Sequence, residues 1–168
     1  LYTDPNGTDQ GADETQLARL LLFSDQIRIS LAGNLRGYSF TGASGAEVRG
    51  ENVLYNGSPT AYNEDPQEQI IYISAHDNET LWDVMQFKVP TDMPVSERVR
   101  IQNMGISLVS MSQGVPFFHA GTELLRSKSM DRNSYNSGDW FNRLDFSYQS
   151  NNWGVGMPPA GDNSGAYE

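Results

Sequence analysis

Residues 69–83 read QIIYISAHDNETLWD, and the change of character inside this stretch decides how the chain folds. Gln69 to Ala75 is a continuous apolar run with β-branched and aromatic residues, the composition of a strand covered on both faces. It breaks at once into the polar triplet His76-Asp77-Asn78. Thr80, with Asp83 three residues later, has the form of a capping box, so a short helix is expected directly after the triplet. A polar cluster at the carboxyl end of a buried strand is where barrel enzymes place their chemistry, because the strand holds the residues and the loop opens them to a ligand. Asp77 is the leading functional candidate on that ground. A cap for the helix from Asp77 or Asn78, with His76 a satisfied loop histidine, accounts for the spacing at least as well.

Working outward, the helical spacing of Ile101, Met104, Gly105, Leu108, Val109 and Met111 predicts an amphipathic helix from Ser96, with Glu97 in its first turn, to near Gly114. Val115 to Ala120 (VPFFHA) then reads as a second buried strand. Strand, helix and strand within about fifty residues make a parallel unit, right-handed by default. On the amino-terminal side, the near-helical spacing of Leu17, Leu20, Leu21, Ile27, Leu31 and Leu35 predicts that most of Glu14 to Leu35 is helical. Gly37 to Pro66 is rich in Gly, Ser, Asn and Pro and is expected to be a long exposed connection with one short strand pair. Everything after Gly121 is polar, aromatic and turn rich, a loop region of the kind that carries function on a βα scaffold.

The 168 residues carry 11 basic against 21 acidic side chains, a formal charge of −10. The balance argues against a nucleic acid or an anionic membrane surface as partner, since both need clustered Lys and Arg. There is no cysteine, so neither a disulfide nor a thiolate metal site exists. Apolar runs such as Leu20 to Phe23 are far too short to span a bilayer. The chain is expected to be a segment of a larger polypeptide: Leu1 is not an initiator methionine, the opening LYTDPNGTDQGADETQ has no signal-peptide character, and the closing PPAGDNSGAYE is loop-like.

The segments YISAHDNETLWD, SERVRIQNMGISLVSMSQ and GVPFFHAGTELLRSKSMDRNSYNSGDWFNRLDF resemble the last conserved regions of the pullulanase and limit dextrinase group of the α-amylase superfamily. HDN alone would be a chance match. HDN after a strand, with RSKS and SYNSGDWFN downstream, is specific. The resemblance implies an α/β fold, a (β/α)8 TIM barrel, of which this chain holds strands seven and eight with their long loops. It implies retaining hydrolysis of α-1,6 branch linkages in pullulan, limit dextrins and related α-glucans by the intact enzyme. The motifs that bear the nucleophilic Asp and the acid/base Glu are not in this sequence, so the partners expected are an α-glucan and the rest of the barrel. No cofactor is implied for the chemistry, while structural calcium is compatible with the intact enzyme. A secreted or cell-surface bacterial setting is favoured over an intracellular or plastidial one. A glucan-binding or degenerate barrel without the nucleophile, and an isoamylase-like or branching enzyme, are the alternative readings.

Retaining glycoside hydrolysis needs a nucleophilic carboxylate and an acid/base carboxyl held about 5 Å apart. The resemblance makes Asp77 a third carboxylate, which grips the hydroxyls of the sugar at the cleavage point and stabilises the transition state. It implies that His76 hydrogen-bonds the same sugar and that Asn78 faces the leaving group. Asp139 and Arg143 are spaced to pair on one helical turn, an exposed contact of about 0.3–0.5 kcal/mol, or to hold a sugar one step beyond the cleavage point, as the resemblance implies. Trp140 is the best of the stacking candidates Trp82, Trp140, Trp153, Tyr135 and Phe141 because it adjoins Asp139. His119 is expected to be a packed, hydrogen-bonded residue rather than a catalyst. Arg126, Lys128, Asp131 and Arg132 are expected to organise the loop by mutual ion pairing. Asp4, Asn6 and Thr8, and likewise Asp131, Asn133 and Tyr135, begin like calcium loops but lack the later glycine and glutamate, so solvated turns are expected there.

Overall fold

The computed structural model describes residues 14–164, which divide into two compact units. One holds the described residues through Ile71 together with Ser107–Phe117; the other holds Tyr72–Ile106 and the described residues from Phe118 onward. The candidate loop at Asp4, Asn6 and Thr8 lies outside the described residues.

In the first unit, α1 spans Glu14–Leu31, most of the stretch expected to be helical. Gly33 and Asn34 both take left-handed φ angles, 75° and 52°. The Asn34 N–H then reaches back to the Ile29 carbonyl at 3.0 Å, the closing bond of a glycine C-cap. A side chain at Gly33 would meet the Pro66 backbone at 3.0 Å, so glycine is required for both reasons. Leu17, Leu20 and Ile27 face solvent, contrary to the spacing argument. The core instead gathers on Ile29 with Val53 and Ala61, ringed by Ala32, Phe40 and Val48.

Strands β1 (Ser39–Thr41) and β2 (Glu47–Arg49) form an antiparallel hairpin that turns Phe40 and Val48, a directly opposed pair, inward. A second hairpin follows, β3 (Leu54–Tyr55) with β4 (Ser58–Pro59), closed by Asn56-Gly57 with φ of 49° and 82°. Two positive φ angles in a two-residue loop match the right-handed twist of hairpin strands. The connection therefore holds two strand pairs, not one. Buried Asn63 ties it together by donating to the Gly33 carbonyl at 2.9 Å and to Gln69 Oε1 at 3.2 Å.

Strands β5 (Ile70–Ile71) and β6 (Val115–Pro116) pair in parallel, with Ile70 opposite Val115, as the strand-helix-strand order predicts. Both are much shorter than the runs that announce them. Ile70, Val115 and Phe117 are exposed, so this pair is not covered on both faces. The described residues contain three separate two-stranded sheets and no closed barrel.

In the second unit, α2 (Leu81–Lys88) begins where Thr80 caps it, its hydroxyl accepting the Asp83 N–H at 3.1 Å. Helix α3 (Val95–Met111) follows, with its residues through Ile106 in this unit. Its inward side in this unit is unexpectedly polar. Arg98 donates to the carbonyls of Met93 and Pro90 and to Gln86 Oε1 at 2.7 Å, and Gln102 donates to the Thr122 carbonyl at 2.9 Å. Gly105 completes that side, since a methyl group there would meet Ile73 and Leu81 at about 3 Å. Met104, expected inside, is exposed. Among the described residues beyond Gly121 the regular structure is limited to single turns and α4 (Asp139–Asn142), as the turn-rich composition predicts.

Candidate functional site

Ala75 leads into the triplet, and Asn78 takes a left-handed φ of 60° that swings the chain toward Thr80 and α2. The His76 and Asp77 side chains are 87% and 80% exposed and meet each other, Nδ1 to Oδ1, at 3.2 Å. Asp77 does not cap α2; Thr80 does. The carboxylate is therefore open for a ligand. Asp77 and Asn78 line a polar cleft with Arg132, Asn133 and Asp162, and Arg132 donates to Asn78 Oδ1 at 3.0 Å.

The RSKS stretch lies inside the unit. Asp83, fully buried, accepts from Ser127 Oγ at 2.5 Å, from the Lys128 N–H at 2.7 Å and from the Met130 N–H at 3.3 Å. Burial pushes its carboxyl up from the ordinary value, while the bonds from Ser127, Lys128 and Met130 pull the other way. Lys128, 1% exposed, donates from Nζ to the His76 carbonyl at 2.8 Å. Desolvation lowers its pKa, opposed by the charges of Asp131 and Asp83. Ser129 continues the web by donating to the Asn152 carbonyl and accepting from the Val155 N–H.

The expected mutual ion pairing of Arg126, Lys128, Asp131 and Arg132 is not what organises this loop. Arg126 donates to His119 Nε2 at 2.9 Å and to the carbonyls of Ala120 and Asn142. Asp131 accepts from the Asn133 N–H and from Asn163 Nδ2, and it is buried rather than a solvated turn. Interior cations and carboxylates find backbone and amide partners here because a loop of single turns leaves many such groups unpaired. No group of three or more metal-type ligands occurs among the described residues.

Asp139, Trp140 and Arg143 line one cleft with Asn142. Asp139 and Arg143 do not pair across a turn; Arg143 turns to Asp145 at 3.6 Å because α4 ends at Asn142. Trp140 is exposed and lies over Gly138, whose φ of 97° and ring contact near 3 Å leave no room for a side chain. Trp153 and Tyr135 are exposed as well, whereas Trp82 and Phe141 are buried.

His119 is the hydrogen-bonded residue expected, although it lies beyond the end of β6 and is only half-buried. Arg126 donates to Nε2, so Nδ1 carries the proton of the neutral ring and faces Ser74 Oγ at 3.4 Å. Burial first, then the charges of Arg126, Lys128 and His76, lower its pKa to about 4.

Sequence reasoning found the exposed triplet but missed the joint roles of Asp83 and Lys128. Asp83 was visible only as a capping-box position, and Lys128 as one member of an expected network of ion pairs. No helix among the described residues is long and apolar enough to cross a membrane.

No family model matches the chain. It is 53% identical over 164 residues to pullulanase 1, chloroplastic, of Arabidopsis thaliana, covering 97% of this chain and 17% of that protein. A pullulanase of Klebsiella pneumoniae is 45% identical over 145 residues, 86% of this chain and 13% of its own length. Among solved structures, Klebsiella pneumoniae pullulanase complexed with maltotriose superposes with a TM-score of 0.88 at 42% identity, covering 97% of this chain and 15% of that one. The chain thus spans a fifth or less of the length of these curated relatives.

Proposed function

Because the homologues of this chain are pullulanases, we propose that it forms the strand-seven and strand-eight part of a (β/α)8 barrel that hydrolyses α-1,6 linkages in branched α-glucans with retention. The observation that carries this reading is the placement of Asp77. Its carboxylate stands 80% exposed at the mouth of a polar cleft, beside His76, while its backbone neighbours are tied into the interior. In that role Asp77 binds the hydroxyls of the sugar at the scissile bond and holds them harder as the ring flattens toward the oxocarbenium-like state. His76 shares that sugar, and Asn78, oriented by Arg132, faces the leaving side.

Asp139, Trp140 and Arg143 supply a second contact region, with the indole as a stacking face and the two charged groups as hydrogen-bond partners of one glucosyl unit. The nucleophile and the acid/base come from outside this stretch. The chemistry uses carboxylates and needs no cofactor; any calcium in the intact enzyme would be structural.

The test is Asp77→Asn in the full-length protein that carries this chain, followed by reducing-sugar release from pullulan. Turnover is expected to drop by about a thousandfold or more, with the melting temperature retained. Near-wild-type turnover in a folded Asp77→Asn protein would sink the reading.

A further inference from the structure

Resting on the role just given to Asp77, we propose that Lys128 is the positioning residue of the site: its ammonium fixes the His76 carbonyl and thereby sets the direction of the Asp77 carboxylate. The His76 and Asp77 side chains touch each other and are otherwise open to solvent. Among the described residues, two hydrogen bonds reach the triplet from the rest of its unit: Lys128 Nζ to the His76 carbonyl and Arg132 to the Asn78 side chain. Only the first grips the main chain. Holding the His76 carbonyl holds the peptide plane shared by His76 and Asp77, and that plane decides where the Asp77 side chain leaves the backbone.

Lys128 is built for this use. It makes no ion pair among the described residues, although it is 1% exposed and has lost most of its hydration. A compact ammonium on a flexible stem suits a single carbonyl better than a guanidinium fork would. Its own backbone is held independently. The Asp83 carboxylate takes the N–H groups of Lys128 and Met130 and the Ser127 hydroxyl, and Ser129 and Met130 adopt left-handed φ angles of 51° and 68°. Asp83 sits in the first turn of α2, immediately downstream of the triplet. Lys128 is therefore anchored at its N–H to the helix that follows the triplet and at its Nζ to the residue that opens it. The ring so formed leaves the turn that carries Asp77 little freedom, which is the support a transition-state contact requires.

The experiment compares Lys128→Met, which keeps the stem and removes the donor and charge, with wild type in the full-length protein, alone and combined with Asp77→Asn. Pullulan hydrolysis is assayed well below the melting temperature of each variant. Lys128→Met is expected to lower kcat by about 30–100-fold with KM changed less than about twofold. In the Asp77→Asn background it is expected to cost less than about threefold, because the residue acts through Asp77. If Lys128→Met does not fold, Lys128→Arg, which keeps the charge and moves the donors outward, carries the same comparison. A folded variant with unchanged kcat, or an equal loss in both backgrounds, overturns this inference while leaving Asp77 in place. Retained turnover in Asp77→Asn alone overturns the functional reading and this inference with it.

Discussion

His119 shows how partial burial beside a guanidinium turns a titratable residue into a fixed acceptor. Arg126 donates to Nε2, and a proton added there would stand against the guanidinium. The folded protein takes up that proton only near pH 4, whereas an unfolded histidine does so near 6.5. Between those values the unfolded chain holds more protons, so stability is expected to rise with pH from about 4 to 6.5 and to fall on acidification through the same window. The ring is only partly buried, so the effect should be on the order of 1 kcal/mol. Urea melts across that range are the measurement. His119→Gln, whose Oε1 can replace Nε2 as the acceptor, should flatten the slope, and an unchanged slope would refute the assignment. The packed role of His119 was legible because it stands inside an apolar run. The partner that sets its tautomer was not, since Arg126 reaches it only through the turn at Gly121.

The helix α2 illustrates what a local signal reveals and what it hides. Thr80 at the N-cap was readable from the Thr80–Asp83 spacing, because a cap is made between neighbours in sequence. The destination of the Asp83 carboxylate was not, because Ser127 and Lys128 lie 44 and 45 residues away. Asp83→Ala would leave a hydroxyl and two backbone N–H groups buried without an acceptor. The expected loss is about 3 kcal/mol, seen as a lower denaturant midpoint. Thr80→Ala, which removes only the cap, should cost about 1 kcal/mol; equal losses from the two variants would contradict this account. The Asn56-Gly57 hairpin carried a strong local signal too, yet flanking runs of two residues are too short to show alternation. Helix α3 misled for the opposite reason: its apolar spacing is regular, but Arg98 and Gln102 have enough carbonyl partners to be buried in place of Met104.

Exposed apolar residues are the main property of the chain taken entire. In the first unit Ile70, Val115 and Phe117 are open to solvent, and in the second Tyr72, Ile73 and Phe118 are. Their sequence is that of covered strands, and a two-stranded pair cannot cover them. The 168-residue chain produced as such is therefore expected to enhance the fluorescence of a hydrophobic dye at neutral pH and to self-associate as its concentration rises. A monomer by light scattering with no dye response would show that these faces are satisfied within the chain. The same composition that announced a barrel strand thus reappears as exposed surface. The relatives that share this stretch include a chloroplastic plant protein and bacterial ones.

Local chemistry was enough to mark the parallel strand pair, the cap on α2, the loop character beyond Gly121 and the triplet His76-Asp77-Asn78, because each depends on residues close together along the chain. The wiring behind the triplet was settled only by folding. The fully buried Asp83, the Lys128 ammonium on the His76 carbonyl and the turn of Arg143 toward Asp145 are long-range or geometric choices among several polar partners. No spacing rule distinguishes those partners until the backbone has placed them within hydrogen-bond reach.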